Sequence, residues 1–243
     1  MEISKNIEII GTALWLTKEK ALIINDLHLG YEEALHRKGV LVPKFQIQEI
    51  IALMEKILRS VKPKTIIING DLKHEFGTIL HQEWKEILQF LDFCAARCAE
   101  IVIIKGNHDP IITAITTKRN IKVVTEYKTG DVLIIHGDKL VKTKAKTIII
   151  GHEHPAITLQ YQSKREKFKC FLHGKWQGKE LIAVPSFKPL LEGTDILKEQ
   201  VLSPFLTNLS SYTVYITHQG NVFPFGTVKE IQKLSDKKSV QLL

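Results

Sequence analysis

The fold is decided by one stretch of the chain, Ile101-Val102-Ile103-Ile104-Lys105-Gly106-Asn107-His108-Asp109. Its run of β-branched residues predicts a strand that is buried on both faces. A glycine and a polar cluster follow within two residues, so the strand presents reactive side chains at its carboxyl end. The order of an apolar run followed by polar residues organises the rest of the chain.

The same order occurs four more times along the sequence. The apolar runs are Ala21–Asn25, Thr65–Asn69, Val132–Ile135 and Thr147–Ile150, and the polar residues that follow them are Asp26 and His28, Asp71, His136, and His152 and His154. In open α/β sheets, ligands bind in the crevice beyond the carboxyl ends of the strands. We therefore expect these five polar ends to meet in one site.

The composition is that of a globular protein with a sizeable core. Of the 243 residues, 44% are hydrophobic and 25% are charged. No apolar run reaches the roughly 18 residues that span a bilayer, and the first residues lack the apolar segment of a signal peptide. These features predict a cytoplasmic protein with no membrane partner, and they leave its oligomeric state open.

The charge and the cysteines restrict the function only weakly. The formal net charge of +8 permits attraction to a polyanion, but a solvated, lysine-rich surface explains it equally well. The basic run at residues 164–169 contains one aromatic residue, which fits either a nucleic-acid contact or a solvated β-hairpin turn. Cys94, Cys98 and Cys170 cannot complete a disulfide framework, and we expect them to be small buried residues rather than zinc ligands.

Hydrophobic periodicity predicts alternating strands and helices in the first half of the chain and mainly strands after residue 131. The predicted helices cover residues 31–38, 45–59, 81–99 and 110–116. This pattern predicts an α/β four-layer sandwich of two mixed β-sheets flanked by helices. We expect a single domain over residues 1–228 and a polar tail over 229–243, either helical or frayed.

The residue types at the strand ends indicate a metal site. The donors are Asp26, His28, Asp71, Asn107, His108, Asp109, His136, His152 and His154. Carboxylate, amide oxygen and imidazole together suit borderline or hard divalent ions. Seven of these nine donors are enough for two metal ions if one carboxylate bridges them.

In order and type these residues resemble the calcineurin-like metallophosphoesterases. The matching motifs are Asp26-x-His28, Gly70-Asp71, Gly106-Asn107-His108-Asp109, His136 and Gly151-His152-x-His154. The longer stretches at residues 26–33, 70–77 and 185–190 are similar to the small archaeal phosphoesterases related to the Mre11/SbcD nucleases.

The resemblance implies a role for each site residue. One metal ion is held by Asp26, His28, Asp71 and His154, and a second by Asp71, Asn107, His136 and His152. The ions are expected to be Mn²⁺, with Fe²⁺, Zn²⁺ or Ni²⁺ as alternatives. Two such ions, about 3.5–4 Å apart, lower the pKa of a bridging water and produce a hydroxide for in-line attack at phosphorus.

Outside the metal ligands, His108 and Asp109 are the catalytic candidates. The resemblance implies that His108 contacts the phosphate or protonates the leaving oxygen. Asp109 either orients His108 or caps the helix that begins at Pro110. His74 is a substrate contact or a loop histidine, while Glu153 is expected in an external ion pair and Lys73 in solvent.

The expected function is metal-dependent hydrolysis of a phosphodiester in a nucleic acid, DNA or RNA, or in a nucleotide. A phosphomonoesterase or a cyclic-nucleotide phosphodiesterase is the alternative, because the same metal site serves all of these substrates through different pocket walls. A non-catalytic, metal-binding scaffold is a further alternative from another class of protein.

Overall fold

The computed structural model describes residues 1–75, 80–109, 112–116, 119, 121–161, 164–189 and 193–240. The motif residues Phe76, Gly77 and Leu190 and the expected helix start at Pro110 lie outside these ranges. The described residues form two β-sheets that pack face to face.

The first sheet has seven strands in chain order: β1 Glu2–Ser4, β2 Ile7–Ile10, β3 Ala13–Leu16, β4 Ala21–Asn25, β5 Thr65–Asn69, β6 Glu100–Ile104 and β7 Lys122–Val124. The first four strands are antiparallel, and β4 to β7 are parallel. Every residue of β4 and β5 is buried, because helices cover one face and the second sheet covers the other.

The helices α1 Tyr31–Arg37, α2 Gln46–Leu58, α3 His81–Ala95 and α4 Thr113–Thr116 connect these strands. The apolar stripe of α2 predicted its buried face, where Ile50 and Met54 are fully buried. Helix α3 ends four residues before the predicted position. There the chain turns into β6, and the N–H groups of Ala99 and Glu100 donate to the Lys64 carbonyl.

The second sheet contains β8 Glu126–Thr129, β9 Val132–Ile135, β10 Thr147–Ile150, β11 Pro155–Tyr161, β12 Lys164–Trp176, β13 Lys179–Ala183, β14 Thr194–Asp195, β15 Thr213–His218 and β16 Asn221–Thr227. Its order is β14-β11-β12-β13-β10-β9-β8, with β15 between β12 and β16. Strands β9, β10 and β13 are parallel. The interpretation of residues 164–169 as a hairpin turn is wrong, since they begin the long strand β12 and pair with β11.

Three apolar clusters define the layers of the sandwich. One lies between the first sheet and helices α2 and α3, and a second lies between the sheets, where Ile67 and Val102 share a cluster with Ile149 and Phe171. The third cluster covers the outer face of the second sheet and includes Ile231 of helix α5, Val228–Val240. The predicted four-layer architecture is confirmed, and the last layer consists of one helix and loops. The segment expected as a polar tail therefore begins as a helix.

The strand register brings the carboxyl ends of both sheets to the same side. Asn25 pairs with Asn69, which pairs with Ile104, while Ile135 pairs with Ile150 in the second sheet. The Asn69 side-chain amide donates to the Ile135 carbonyl at 2.9 Å and so connects the two sheets at this edge. The polar residues that follow the strands are thereby directed into one crevice.

Two further expectations concern the whole chain. Among the described residues, the helices are too short or too polar to cross a membrane. Cys94 and Cys170 are buried free thiols, as predicted, whereas Cys98 is half-buried.

Candidate metal centre

The site begins where the loop after β4 lies against the loop after β5. The His28 N–H donates to the Asp71 carbonyl at 2.8 Å, and the Leu29 N–H donates to the Leu72 carbonyl at 2.9 Å. These bonds continue the pairing of the two strands beyond their ends. They hold Asp26 and His28 next to Asp71.

Most of the predicted ligands have a left-handed backbone. The φ angles are 51° at Asp26, 45° at His28, 33° at Asp71, 63° at His152 and 51° at His154. This conformation costs a residue with a side chain about 1–2 kcal/mol relative to the right-handed region. Strain of this kind clusters at functional sites, where the surrounding structure holds it in place.

Glycines precede three of the predicted ligands, at positions where the backbone passes too close to another predicted ligand for a side chain. A Cβ atom at Gly70 would overlap the His136 imidazole, and one at Gly106 would overlap the Asp71 carboxylate. At Gly151, a Cβ would lie 2.6 Å from Asp26 Oδ2. Because these glycines carry no Cβ atom, the five loops can lie close together.

Replacing Gly106 by alanine is therefore expected to destabilise the protein by about 1–3 kcal/mol, the usual cost of overpacking a buried site. Urea denaturation of the metal-free protein measures this loss. Gly39→Ala is the control, because a Cβ there has no heavy atom within 4 Å and only its φ of 80° opposes the change. A loss of less than about 1 kcal/mol in Gly106→Ala would contradict the steric interpretation.

Two groups of donors face each other across the crevice. Asp26, His28 and His154 form one group, and Asp71, His136 and His152 form the other; within each group the donor atoms lie within 4.8 Å of one another. Asp71 Oδ2 is central, because it lies 3.8 Å from His28 Nε2, 3.5 Å from His136 Nε2 and 3.9 Å from His108 Nε2.

Asn107 completes the second group. Its Oδ1 lies 2.8 Å from His136 Nε2, and His152 Nδ1 lies 3.2 Å from the same nitrogen. The structure thus brings together all seven residues that were predicted as metal ligands.

The chemistry of these donors fits divalent cations. Asp26 Oδ1, His28 Nδ1, His136 Nδ1 and His154 Nε2 are buried and, among the described residues, make no hydrogen bond of good geometry. His136 Nδ1 lies 3.4 Å from Asp26 Oδ1, and His154 Nε2 lies 3.3 Å from Asp26 Oδ2. Buried polar atoms normally have partners, so a set of orphaned oxygen and nitrogen atoms is a sign of an ion site.

The electrostatics agree with this interpretation. Burial lowers the pKa of His28 well below its usual value and that of His136 to about 4, so both imidazoles are neutral and can act as ligands. Burial, with the negative charge of Asp26, raises the pKa of Asp71 to about 9. Two carboxylates that resist ionising together are stabilised as anions when a cation lies between them.

His108 and His74 line the wall beside the first group. Their rings are stacked with centroids 5.8 Å apart, and each ring is within 5.6 Å of the His28 ring. The His108 Nδ1 atom is hydrogen-bonded to the His74 carbonyl, which turns Nε2 toward Asp71. His108 remains 16% exposed, so it can reach a bound substrate.

Asp109 lies between two loops of the site, and the helix start at Pro110 that it was predicted to cap lies outside the described residues. Its carboxylate accepts hydrogen bonds from the backbone N–H groups of Leu72, Lys73 and Gly106, each at 3.2 Å. It therefore joins the loop that carries Asp71 to the loop that carries His108. Burial raises its pKa to about 6.

Two expectations about charged neighbours are wrong. Glu153 is fully buried rather than in an external ion pair, and its carboxylate accepts hydrogen bonds from the N–H groups of Leu202 and Ser203 at 2.7 and 2.8 Å. Lys73 is also fully buried instead of solvated. Both residues belong to the framework around the ligands.

The sequence interpretation assigned no role to residues 186–188, two of which hydrogen-bond to the backbone that carries the first group. The Ser186 hydroxyl donates to the Asp26 carbonyl at 2.8 Å, and the Phe187 N–H donates to the Asn25 carbonyl at 2.7 Å. Lys188 is fully buried, with its Nζ 3.0 Å from the centre of the Tyr31 ring. In the sequence, these residues belong to the stretch 185–190, which contributed to the family resemblance but predicted no contact for any one of them.

Comparison with known proteins agrees with this architecture. A family model described as calcineurin-like phosphoesterase matches residues 20–167. The chain is similar to the nuclease MPE of Pseudomonas putida, with 19% identity and a TM-score of 0.63 over 88% of this chain and 91% of that one. It is also similar to the phosphoesterase YfcE from E. coli, with 11% identity and a TM-score of 0.42 over 85% and 98% of the two chains. No curated protein matches the sequence significantly.

Proposed function

The chain belongs to the calcineurin-like phosphoesterase family and is a metal-dependent phosphoester hydrolase, and we propose that its substrates are phosphodiesters in nucleic acids or nucleotides. The observation that carries the proposal is the position of Asp71 Oδ2, within 3.9 Å of imidazole nitrogens from both donor groups and from His108. A carboxylate in this position can bridge two ions and remain next to the residue that contacts the substrate.

We assign the ligands in two sets that share Asp71. Asp26, His28, Asp71 and His154 hold one ion, and Asp71, Asn107, His136 and His152 hold the other. When bound, the pair of ions supplies a water of lowered pKa as the nucleophile and polarises the phosphoryl oxygens. Mn²⁺ is the proposed ion, since the donors are oxygen and imidazole without thiolate.

His108 is the residue that acts on the substrate. Its Nε2 faces the centre of the site and its ring is partly exposed, so it can donate a proton or a hydrogen bond to an oxygen of the phosphoester. The carbonyl of His74 fixes its ring orientation through Nδ1. The Asp71 Oδ1 atom accepts from the His108 N–H at 2.9 Å, which ties this loop to the metal ligands.

His74 is proposed as a second substrate contact. Its imidazole stacks with that of His108 and packs edge-on against Tyr31 at 4.8 Å. Burial lowers its pKa to about 4, so its neutral ring would contact the substrate by a hydrogen bond rather than by charge.

The test is hydrolysis of bis-p-nitrophenyl phosphate and p-nitrophenyl phosphate by protein loaded with Mn²⁺. We expect turnover of the diester that is abolished by EDTA and restored by Mn²⁺. Turnover of the monoester alone would replace the proposal with a phosphomonoesterase. Absence of turnover on either ester, with about two ions bound per chain, would favour the non-catalytic scaffold.

Two broader proposals accompany the activity. Residues 1–228 are proposed to form one domain, because apolar clusters continue from β1 to the start of α5. A cytoplasmic location is proposed from the free, buried thiols of Cys94 and Cys170.

A further inference from the structure

The connection between β9 and β10 is unusual for two parallel neighbouring strands. Such strands are normally joined by a helix that crosses over the sheet. Here residues 136–146 return without regular secondary structure, from the ligand His136 at the carboxyl edge to Thr147 at the amino edge. The segment therefore extends along the outside of the sheet from the metal centre.

Its exposure alternates residue by residue. Val141, Thr143 and Ala145 are half-buried, whereas Lys142, Lys144 and Lys146 are exposed. Val141 and Ala145 pack on the outer apolar cluster of the second sheet. This alternation indicates an extended chain, in which residues two apart lie about 7 Å from each other on the same side. The lysines thus form a straight row.

A fourth exposed lysine lies in the same segment, between the row and His136 in the sequence. Lys139 follows the ligand His136 by three residues, and its side chain is 86% exposed. It lies 3.6 Å from the carboxylate of Asp138, while Lys146 pairs with Asp131 at 2.7 Å. Within the described parts of the chain, no carboxylate lies within ion-pair distance of Lys142 or Lys144.

A groove runs beside this row. It has a volume of about 590 Å³ and lies between the row and the β8–β9 turn, with Lys128, Asp131, Lys142 and Lys144 among its walls. The carboxylate of Asp131 is matched by Lys146, so the remaining charge of these walls is positive. An anionic polymer would meet no uncompensated negative group there.

We propose that the exposed lysines of this segment, Lys139 and the row Lys142, Lys144 and Lys146, bind the phosphate backbone of a single-stranded nucleic acid that enters the metal centre. The inference rests on the proposed function and names its substrate class. Regularly spaced cations on an extended segment match the repeated phosphates of one strand. An anionic membrane would instead contact a flat, two-dimensional patch, whereas these lysines lie along one segment that continues in sequence to His136.

The test is binding of a fluorescein-labelled oligothymidylate, measured by fluorescence anisotropy in EDTA so that no hydrolysis occurs. We expect the variant K139Q/K142Q/K144Q to bind at least about tenfold more weakly than the wild type at low salt. We also expect the slope of log K against log salt to fall by about 2, from three lost contacts at about 0.7 each. The control K5Q/K18Q/K64Q removes the same charge from exposed lysines outside the row and should bind nearly as the wild type does.

Turnover of bis-p-nitrophenyl phosphate separates this inference from the proposed function. The variant K139Q/K142Q/K144Q should hydrolyse the small diester at the wild-type rate, because its lysines are outside the catalytic pocket. Weaker oligonucleotide binding by this variant supports the row even if neither protein hydrolyses the ester. Equal binding and salt slope in the two triple variants would overturn the inference, as would a defect confined to binding of vesicles that contain anionic lipid.

Discussion

Asp71→Asn is expected to lower the rate of bis-p-nitrophenyl phosphate hydrolysis by about 10³-fold or more. The charge stabilisation that bound ions give to a transition state is worth several kcal/mol, and each 1.4 kcal/mol is about a factor of ten. Asp71 is proposed to bridge both ions, so the amide weakens both sites at once. Steady-state rates across a Mn²⁺ titration measure the effect, and excess Mn²⁺ should restore only part of the activity.

Metal-linked stability provides a second measurement of the same variant. Mn²⁺ at 100 times its dissociation constant stabilises the folded state by about 2.7 kcal/mol per site. For a chain of this size, that corresponds to a rise in Tm of about 5–10 °C per site, or about 10–20 °C when both sites are filled. We expect this rise in the wild type and a much smaller one in Asp71→Asn. Asp131→Asn, at an exposed carboxylate beyond the metal centre, should retain the full rise.

The bridging role would be contradicted if Asp71→Asn bound two Mn²⁺ ions and showed the same rise in Tm as the wild type. The metal-free proteins provide a further check, because burial and Asp26 together oppose ionisation of Asp71. The asparagine side chain is neutral, so it avoids the unfavourable burial of a negative charge next to Asp26. Weak metal binding in the variant is therefore not expected to result from a less stable fold, and urea denaturation in EDTA can verify this.

The strands and their carboxyl ends could be predicted from the sequence because the signal is local. Short runs such as Thr65–Asn69 have consecutive β-branched apolar residues at their centre, which is typical of a strand covered on both faces. Once the strands are parallel and in register, Asp71 and His108 must follow at the same edge. The residue types at that edge then limited the chemistry to metal binding.

The supporting residues could not be predicted because their partners are distant in the sequence. The Glu153 carboxylate binds the backbone about 50 residues later, and Asp109 binds the loop 36 and 37 residues earlier. Nothing near either residue identifies these partners. The default for a charged side chain is solvent, so local reasoning placed Glu153 outside the core.

The left-handed backbone of the predicted ligands could not be predicted either, because it also depends on distant contacts. Positive φ is uncommon for any residue except glycine, although Asn, Asp and His adopt it more often than others, and no local pattern indicates it at Asp26, His28 and His152. Their conformation is fixed by hydrogen bonds between loops, such as the bond from the His152 N–H to Asp26 Oδ2 at 3.0 Å. The site is thus strained by contacts that form only when both sheets have assembled.

His108→Ala is expected to lower kcat by about 10²–10⁴-fold, the usual contribution of a general acid or base, while both metal ions remain bound. The substitution preserves the backbone bond from residue 108 to Asp71 Oδ1, so the ligand geometry should survive. Metal content measured on the same samples as the rates tests this separation. His218→Ala, at the exposed last residue of β15, is the control and should leave kcat unchanged.

The leaving group of the substrate distinguishes the two roles that His108 can have. If His108 protonates the leaving oxygen, its loss should harm an alkyl diester far more than bis-p-nitrophenyl phosphate, because nitrophenolate departs without a proton. If it only binds the phosphate, both substrates should lose activity equally. Because Nε2 faces Asp71 and the ring is partly exposed, we expect the larger loss with the alkyl diester. Full activity on both substrates would remove His108 from the mechanism and leave His74 as the neighbouring imidazole to test.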